Sequence, residues 1–366
     1  MRVVVVTPDF PPRHGGIQLL MARLVEHASS WTTTVIAPDH PHAGDFDASR
    51  ALSVLRTPRL SGQAATVAAL NTVAAYAGPR YRPDAVVSAH IVASPASRLI
   101  ARRAGVPWIQ YTHAKELGTR PRLARSAVRA ADGTIVVSTY TAKLVRDLGA
   151  PADRIHRVRP GSDEATVPPH RQSSDSRTIV TVARLEDRYK GFDLMLRALP
   201  LVAARVPEAR WVIVGDGPLR PEIERTAQSW GLGHLVDARG RVSDDERDAA
   251  LANARVFAMP SRVPPSGVGG EGFGIVFLEA GRYGVPCVAA RAGGAVDAVL
   301  DGKTGLLVDP TDHLELADVL TRVLVDDELA GRLGRQGMAH AAERSWSQMA
   351  GEVDAVVRSL VERDSR

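Results

Sequence analysis

The sequence predicts an α/β protein of two doubly wound, Rossmann-like domains facing across a cleft. Three observations carry this. Short β-branched runs bounded by Pro, Gly, Asp or Ser alternate with longer segments of helical periodicity, the pattern of a parallel sheet covered by helices. The alternation stops at RPGSDEATVPPHRQSSDSR, Arg159 to Arg177, which has no apolar periodicity and reads as a linker, and then it starts again. Finally, 366 residues exceed what one ordinary core supports.

The first cycle places strands at Arg2–Thr7, Thr33–Ala37, Asp84–Ala89, Trp108–Thr112 and Gly133–Ser138, with helices such as Ile17–Ser29 and Ser94–Ala104 between them. The second places strands at Thr178–Ala183, Trp211–Gly215, Val256–Pro260, Pro286–Ala290 and Gly305–Val308, with Leu194–Arg205 and Arg220–Trp230 as the clearest helices. The expected domains are 1–160 and 178–346, joined by a linker over 161–177. Ligands of such sheets bind beyond the carboxyl ends of the strands, so the motifs of interest are those that follow strands, and the expected site is the cleft.

Composition narrows the class. A hydrophobic content of 45% with 24% charged residues is that of a soluble globular enzyme. The longest apolar runs, such as Val3 to Val6, are far too short to span a bilayer, and the N-terminal residues lack the features of a signal peptide. The single cysteine, Cys287, excludes an internal disulfide framework, suits a reducing cytoplasm, and reads as a buried inert thiol in GVPCVAA. Charge is uneven: residues 1–160 hold 21 Lys+Arg against 10 Asp+Glu, the remainder 25 against 31. A basic first half calls for an anionic partner: phosphate, a lipid surface or nucleic acid.

After the first strand, TPDFPPRHGGIQ brings Gly15 and Gly16 to the start of a helix, where exposed N–H groups suit an anion, or simply a tight turn. After the first strand of the second cycle, VARLEDRYKG carries Arg184 and Lys190, a fork and a point charge that together suit a diphosphate without a metal. In EGFGIVFLE, the glycines mark a loop that ends where a helix over Ile275–Tyr283 begins. Glu271 then lies in the loop and Glu279 one turn inside the helix. On one continuous helix they would stand about 80° out of line. The two suit hydrogen bonds from ligand hydroxyls better than proton exchange. IQYTHAKELG places His113 and Glu116 beyond another strand, and VGDGP places Asp216 in a turn.

Three motifs are read as decoys or bland features. GVGGEG, Gly267 to Gly272, matches a dinucleotide fingerprint, yet six residues separate it from its strand. Asp45 to Asp47 mimics a metal-binding D-x-D but is expected in a polar loop, and no Cys/His cluster has metal-site spacing. Arg122, Arg125 and Arg129 share one helical face, which suits anionic headgroups or plain solvation. Nucleic acid is disfavoured, because aromatics are 5% of the chain and none interleave with these arginines.

The glycine loop, RLEDRYKG, VGDGP and the paired glutamates, in this order from Met1 to Ser345-Trp346, resemble the family 4 retaining glycosyltransferases of GT-B fold. TPDFPPRHGGIQ with GGEGFGIVFLEA is most similar to the bacterial phosphatidylinositol mannosyltransferase branch. The resemblance implies a GDP- or UDP-sugar donor held mainly by the second domain, a lipid, polyol or natural-product acceptor held by the first, and no metal. It implies that Arg184 and Lys190, with Gly16, hold the diphosphate, that Glu271 meets the sugar and Glu279 the ribose. The backbone of Phe273, Gly274 and Ile275 would touch sugar and phosphate, Val242 would lie beside the base, and His113 near the reacting sugar. A last helix, about 347–366, would return to the first domain. A cytoplasmic enzyme, peripheral at the inner membrane face through Arg122, Arg125 and Arg129, is the corresponding location. HAKE departs from the family's His-Gly, and the loop Arg262–Gly270 is long, which leaves the acceptor open. A nucleotide-sugar epimerase, a phosphorylase and a non-catalytic binding module stand as alternatives.

Overall fold

The computed structural model describes residues 1–165, 177–267 and 269–364. The chain forms two compact units, one of Met1–Pro160 with the C-terminal helix Trp346–Asp364, the other Gly161–Ser345. Most of the expected linker, 166–176, lies outside the described residues. Just before it, Ser162 is tied to the second unit: its amide donates to Arg344 O at 2.8 Å and its hydroxyl to Ala341 O at 3.2 Å.

Among the described residues the first unit holds a seven-stranded sheet of β1 (Arg2–Val6), β2 (Thr32–Pro38), β3 (Val54–Thr57), β4 (Ala85–Ser88), β5 (Trp108–Thr112), β6 (Gly133–Val136) and β7 (Ile155–Arg157), in the order β3-β2-β1-β4-β5-β6-β7. Every pairing is parallel. The central strands explain why the reading from sequence works: β1 buries all four of its valines and β5 buries all five residues, the continuous burial of a sheet covered on both faces. The second unit repeats the design with β8 (Thr178–Val182), β9 (Arg210–Val214), β10 (Val236–Gly240), β11 (Val256–Met259), β12 (Cys287–Ala290) and β13 (Gly305–Val308), ordered β10-β9-β8-β11-β12-β13. Its centre is pinned by a buried polar chain: Trp211 Nε1 donates to Thr181 Oγ1 at 2.9 Å, and that hydroxyl donates to Ala258 O at 2.5 Å. One indole thus ties β9, β8 and β11 together while satisfying its own donor.

Three strands escape the sequence pattern: β3, β7 and β10. All three are sheet edges and only partly buried, so their residues carry no apolar run. The Asp45–Asp47 segment is corrected as well. It lies in a helix, Ala43–Ser49, held by an edge-on contact of Phe46 with Phe10 and by Asp47, which accepts from Arg56 at 2.6 and 2.9 Å. Cys287 is buried in β12, and burial pushes its thiol up, so it is inert.

The C-terminal helix buries Met349, Val353, Val357 and Leu360, and one carboxylate adds a polar tie to the first unit. Asp354 Oδ1 accepts from Ser30 Oγ at 2.8 Å and Trp31 Nε1 at 2.6 Å, while Oδ2 accepts from Arg358 at 2.7 Å. Burial works against ionisation there, but these hydrogen bonds outweigh it and hold the carboxyl below the usual range. A depressed folded value means the stabilisation is present at neutral pH and is lost as pH falls below about 4 through that value. Asp354→Ala should therefore cost about 1–3 kcal/mol at pH 7. In thermal unfolding, the gap between variant and wild type should shrink toward pH 3; a gap independent of pH would contradict the assignment.

Candidate active site

In the second unit, the loop after β8 turns the chain through Arg184 to a short 3-10 turn, Arg188–Lys190. Gly191 follows at φ +83°, and a Cβ there would meet Pro260 O at 2.3 Å, so only glycine lets the turn close and fix Lys190. Lys190 Nζ then donates to Glu271 Oε2 at 2.5 Å, with both side chains 15% exposed. It also lies 5.3 Å from the centre of the Tyr189 ring. Arg184 is half-exposed and, among the described residues, pairs with the Glu186 carboxylate at 3.4 Å. Of the two expected phosphate ligands, one is thus built into a pair and the other stands loose at the surface. Asp216 is a turn residue: its carboxylate accepts from Gly217 N at 2.9 Å and its carbonyl from Leu185 N at 3.0 Å.

Glu271 is held by its backbone. Its carbonyl accepts from Gly294 N at 2.8 Å, and a Cβ on Gly294 would stand 2.0 Å from Gly272 O. The helix Ile275–Arg282 starts directly after the loop, with buried Phe273 before it and Gly274 as its N-cap at φ 92°. Its first N–H groups are the unsatisfied donors that an anion fits. Glu279 sits one turn inside and is 9% exposed. Burial raises its pKa most, Arg247 and Arg282 draw it back, and Asp163 and Asp248 push it up again. Its carboxylate takes no hydrogen bond from the described residues. Val242 is half-buried immediately before Ser243, which caps the helix Asp244–Ala252 by accepting from Glu246 N at 3.2 Å. Val268 is not among the described residues, so the Gly267–Gly272 motif is only partly described; Gly270 leads straight into the Glu271 loop.

In the first unit, Gly15 caps the helix Gly16–His27 at φ 152°, one residue earlier than periodicity indicates. Gln18 from its first turn donates to Asp9 Oδ1 at 2.7 Å. His113 directly follows β5 and caps the short helix Ala114–Thr119, with its ring stacked on Tyr111 at 5.5 Å. Burial lowers its pKa, against the pull of Glu116, which favours the neutral ring; its Nε2 is buried with no hydrogen-bond partner among the described residues. Glu116 is the organiser. Its carboxylate accepts from His113 N and Ile91 N, both at 2.8 Å, and lies 2.8 Å from His90 Nδ1. Burial disfavours its charge, yet His90 and these bonds outweigh it and hold Glu116 below the usual range. Burial likewise disfavours charge on His90, yet Glu116 outweighs it and raises the pKa. His90, Arg247, Asp248 and Arg282 went unread in the sequence. A local signal was the i, i+3 spacing of Asp244 and Arg247, which pair at 2.9 Å.

Two family models divide the chain: a glycosyl transferase 4-like domain over residues 2–161 and the glycosyl transferases group 1 over residues 162–340. The GDP-mannose-dependent alpha-(1-6)-phosphatidylinositol monomannoside mannosyltransferase of Mycolicibacterium smegmatis is 35% identical, over 94% of each chain. The corresponding enzyme of Corynebacterium glutamicum, which acts on the monoacylated lipid by its name, is 29% identical over 98% of each. Among solved structures, Anabaena Alr3699/HepE in complex with UDP and glucose superposes with a TM-score of 0.82 at 20% identity, covering 98% of this chain and 100% of that one. Sucrose-phosphate synthase (tll1590) from Thermosynechococcus elongatus gives 0.81 at 21%, over 99% of both. These two establish the fold, two Rossmann-like domains of the GT-B class.

The Lys190–Glu271 pair generates a test that needs no substrate. Each group neutralises the other, so Glu271→Gln should leave the ammonium free and tighten inorganic pyrophosphate binding by roughly three- to tenfold in calorimetry at low salt. Weaker binding in the variant would mean that Lys190 does not face the anion.

Proposed function

The chain belongs to the family 4 glycosyltransferases, and on that premise we propose that it is a retaining hexosyltransferase moving mannose from GDP-mannose to a hydroxyl of an inositol-bearing glycolipid. Mannose, GDP and this acceptor are supported by the names of the relatives that match along nearly the full length. The observation that carries the reading is the grouping of Lys190, Glu271 and Glu279 around the start of the helix Ile275–Arg282.

The physical logic is a grip on the donor. Lys190, with Arg184 swinging in from the surface, neutralises the diphosphate, and the first N–H groups of the helix add their dipole. Glu271 is then released to accept from sugar hydroxyls, while Glu279, buried and without a hydrogen-bond donor of its own, takes the ribose hydroxyls. Phe273, Gly274 and Ile275 offer backbone beside the sugar and phosphate, and Val242 offers an apolar edge to the base. Gly15, Gly16 and His113 keep the roles that the family likeness gives them. The anomeric carbon–oxygen bond to the diphosphate breaks as the acceptor oxygen bonds on the same face, and the acceptor proton passes to the leaving phosphate. The protein's main contribution is to stabilise charge on that phosphate.

No helix among the described residues is long and apolar enough to cross a membrane. A lipid acceptor then requires docking at the surface, and the exposed Arg122, Arg125 and Arg129 of the helix Pro121–Ala130 supply a basic face for it at the cytoplasmic side.

Lys190→Ala should lower transfer and GDP affinity together, each by at least about tenfold, corresponding to loss of a charge-assisted contact. Product mannose should be α-linked by NMR, and EDTA should leave the rate unchanged. GDP affinity unaltered in Lys190→Ala would refute the phosphate assignment, and a β-linked product would refute retention.

A further inference from the structure

The D-x-D segment and an arginine of β3 meet at the loop that leads to Gly15-Gly16. Arg56 lies in β3 with its side chain 13% exposed. Its Nε donates to Asp47 Oδ2 at 2.9 Å, and its Nη2 donates to Asp47 Oδ1 at 2.6 Å and to Pro11 O at 2.8 Å. Its Nη1 donates to Pro38 O, at the end of β2, at 3.1 Å, and the guanidinium stands 5.5 Å from the centre of the Phe10 ring. One side chain thus joins β3, β2, the helix Ala43–Ser49 and the loop after β1.

The chemistry of these contacts limits what Arg56 can do. Asp47 neutralises the guanidinium through two bonds, and the two carbonyls take further N–H groups, so little is left to bind an anion directly. A leucine at this position would cover Phe10 at a lower desolvation cost, but it would give the Pro11 carbonyl no donor. The loop needs a tie from outside itself, because Pro11 and Pro12 have no N–H with which to fix it. Its first part is held by the Thr7 hydroxyl, which donates to Asp9 O at 2.9 Å and accepts from Asp9 N at 3.0 Å, and by Gln18, which donates to the Asp9 carboxylate at 2.7 Å. Arg56 holds the next part, at Phe10 and Pro11. Beyond it, Gly15 caps the helix Gly16–His27, and Gly16 carries the first helical N–H.

We propose that Arg56, anchored by Asp47, is a positioning residue that holds Phe10 and Pro11 so that the Gly16 amide meets a phosphate oxygen of the donor. The inference rests on the reading of Gly16 as a phosphate ligand. It gives Asp47 a task other than metal binding: the carboxylate fixes the fork that fixes the loop. A displacement of about 1 Å would carry the Gly16 N–H out of hydrogen-bond range of a bound phosphate, which is why a side chain remote from the ligand can govern its affinity.

The test is a double-mutant cycle on the full chain, with GDP affinity read by calorimetry. Gly16→Pro removes the amide hydrogen at the first helical position, where proline is tolerated, and should weaken GDP binding roughly tenfold, the loss of one hydrogen bond to a charged acceptor. Arg56→Met should weaken GDP binding roughly three- to tenfold in the otherwise native chain and have no effect in the Gly16→Pro chain, because the amide that Arg56 positions is already gone. Asp47→Asn, which keeps the volume of the anchor, should act in the same way on a smaller scale, and it carries the test if Arg56→Met does not fold. Native GDP affinity in these variants, or an equal loss with and without Gly16→Pro, would overturn the positioning role. Unchanged affinity in Gly16→Pro alone would instead overturn the reading of Gly16 as a phosphate ligand, and the inference with it.

Discussion

The hydrogen bond from the Gly294 amide to the Glu271 carbonyl is the constraint on which the second unit's chemistry depends. It joins the turn after β12 to the loop before the helix Ile275–Arg282, at a separation where Gly294 can bear no side chain. With the backbone of Glu271 fixed there, its carboxylate meets Lys190, delivered by the other glycine-dependent turn at Gly191. The helix then begins where its free N–H groups share the same neighbourhood. An ammonium, a carboxylate and a helix dipole are thereby placed by backbone geometry, the kind of preorganisation that the proposed stabilisation of a leaving diphosphate would use.

The same economy of means appears in the first unit. One fully buried carboxylate, Glu116, bonds two backbone amides and two histidine environments at once, with a raised pKa on His90 and a lowered one on His113. The two imidazoles are thus shifted in opposite directions, because one faces the carboxylate and the other is dominated by desolvation. In both units the ionised groups are arranged by strand ends, as expected for doubly wound sheets.

How much of this was legible beforehand follows from what periodicity measures. A buried central strand such as β1 announces itself, because its four consecutive valines are apolar on both faces. The edges β3, β7 and β10 do not, because half of each is solvated. The glycines of EGFG correctly separated Glu271 from the helix that carries Glu279, since a local conformational requirement is written locally. The partnership of Lys190 with Glu271, 81 residues apart, is a product of tertiary folding and has no local trace. The same holds for Asp248 and Arg282, which belong to different helices, and for His90 with Glu116. Sequence reading therefore names candidate ligand residues from local signals and misses the side chains that pair with them or pack around them. The D-x-D segment erred in the opposite direction: its glycine and histidines suggested a loop, and contacts of Phe46 and Asp47 made a helix of it.

The central claim is that Lys190 and Glu271 exchange each other for the donor. A crystal structure of the chain with GDP-mannose bound measures this directly. The account predicts that the 2.5 Å contact between Lys190 Nζ and Glu271 Oε2 opens, with Lys190 on a diphosphate oxygen and Glu271 on a hydroxyl of the mannose. An intact Lys190–Glu271 pair beside a fully occupied donor would contradict it.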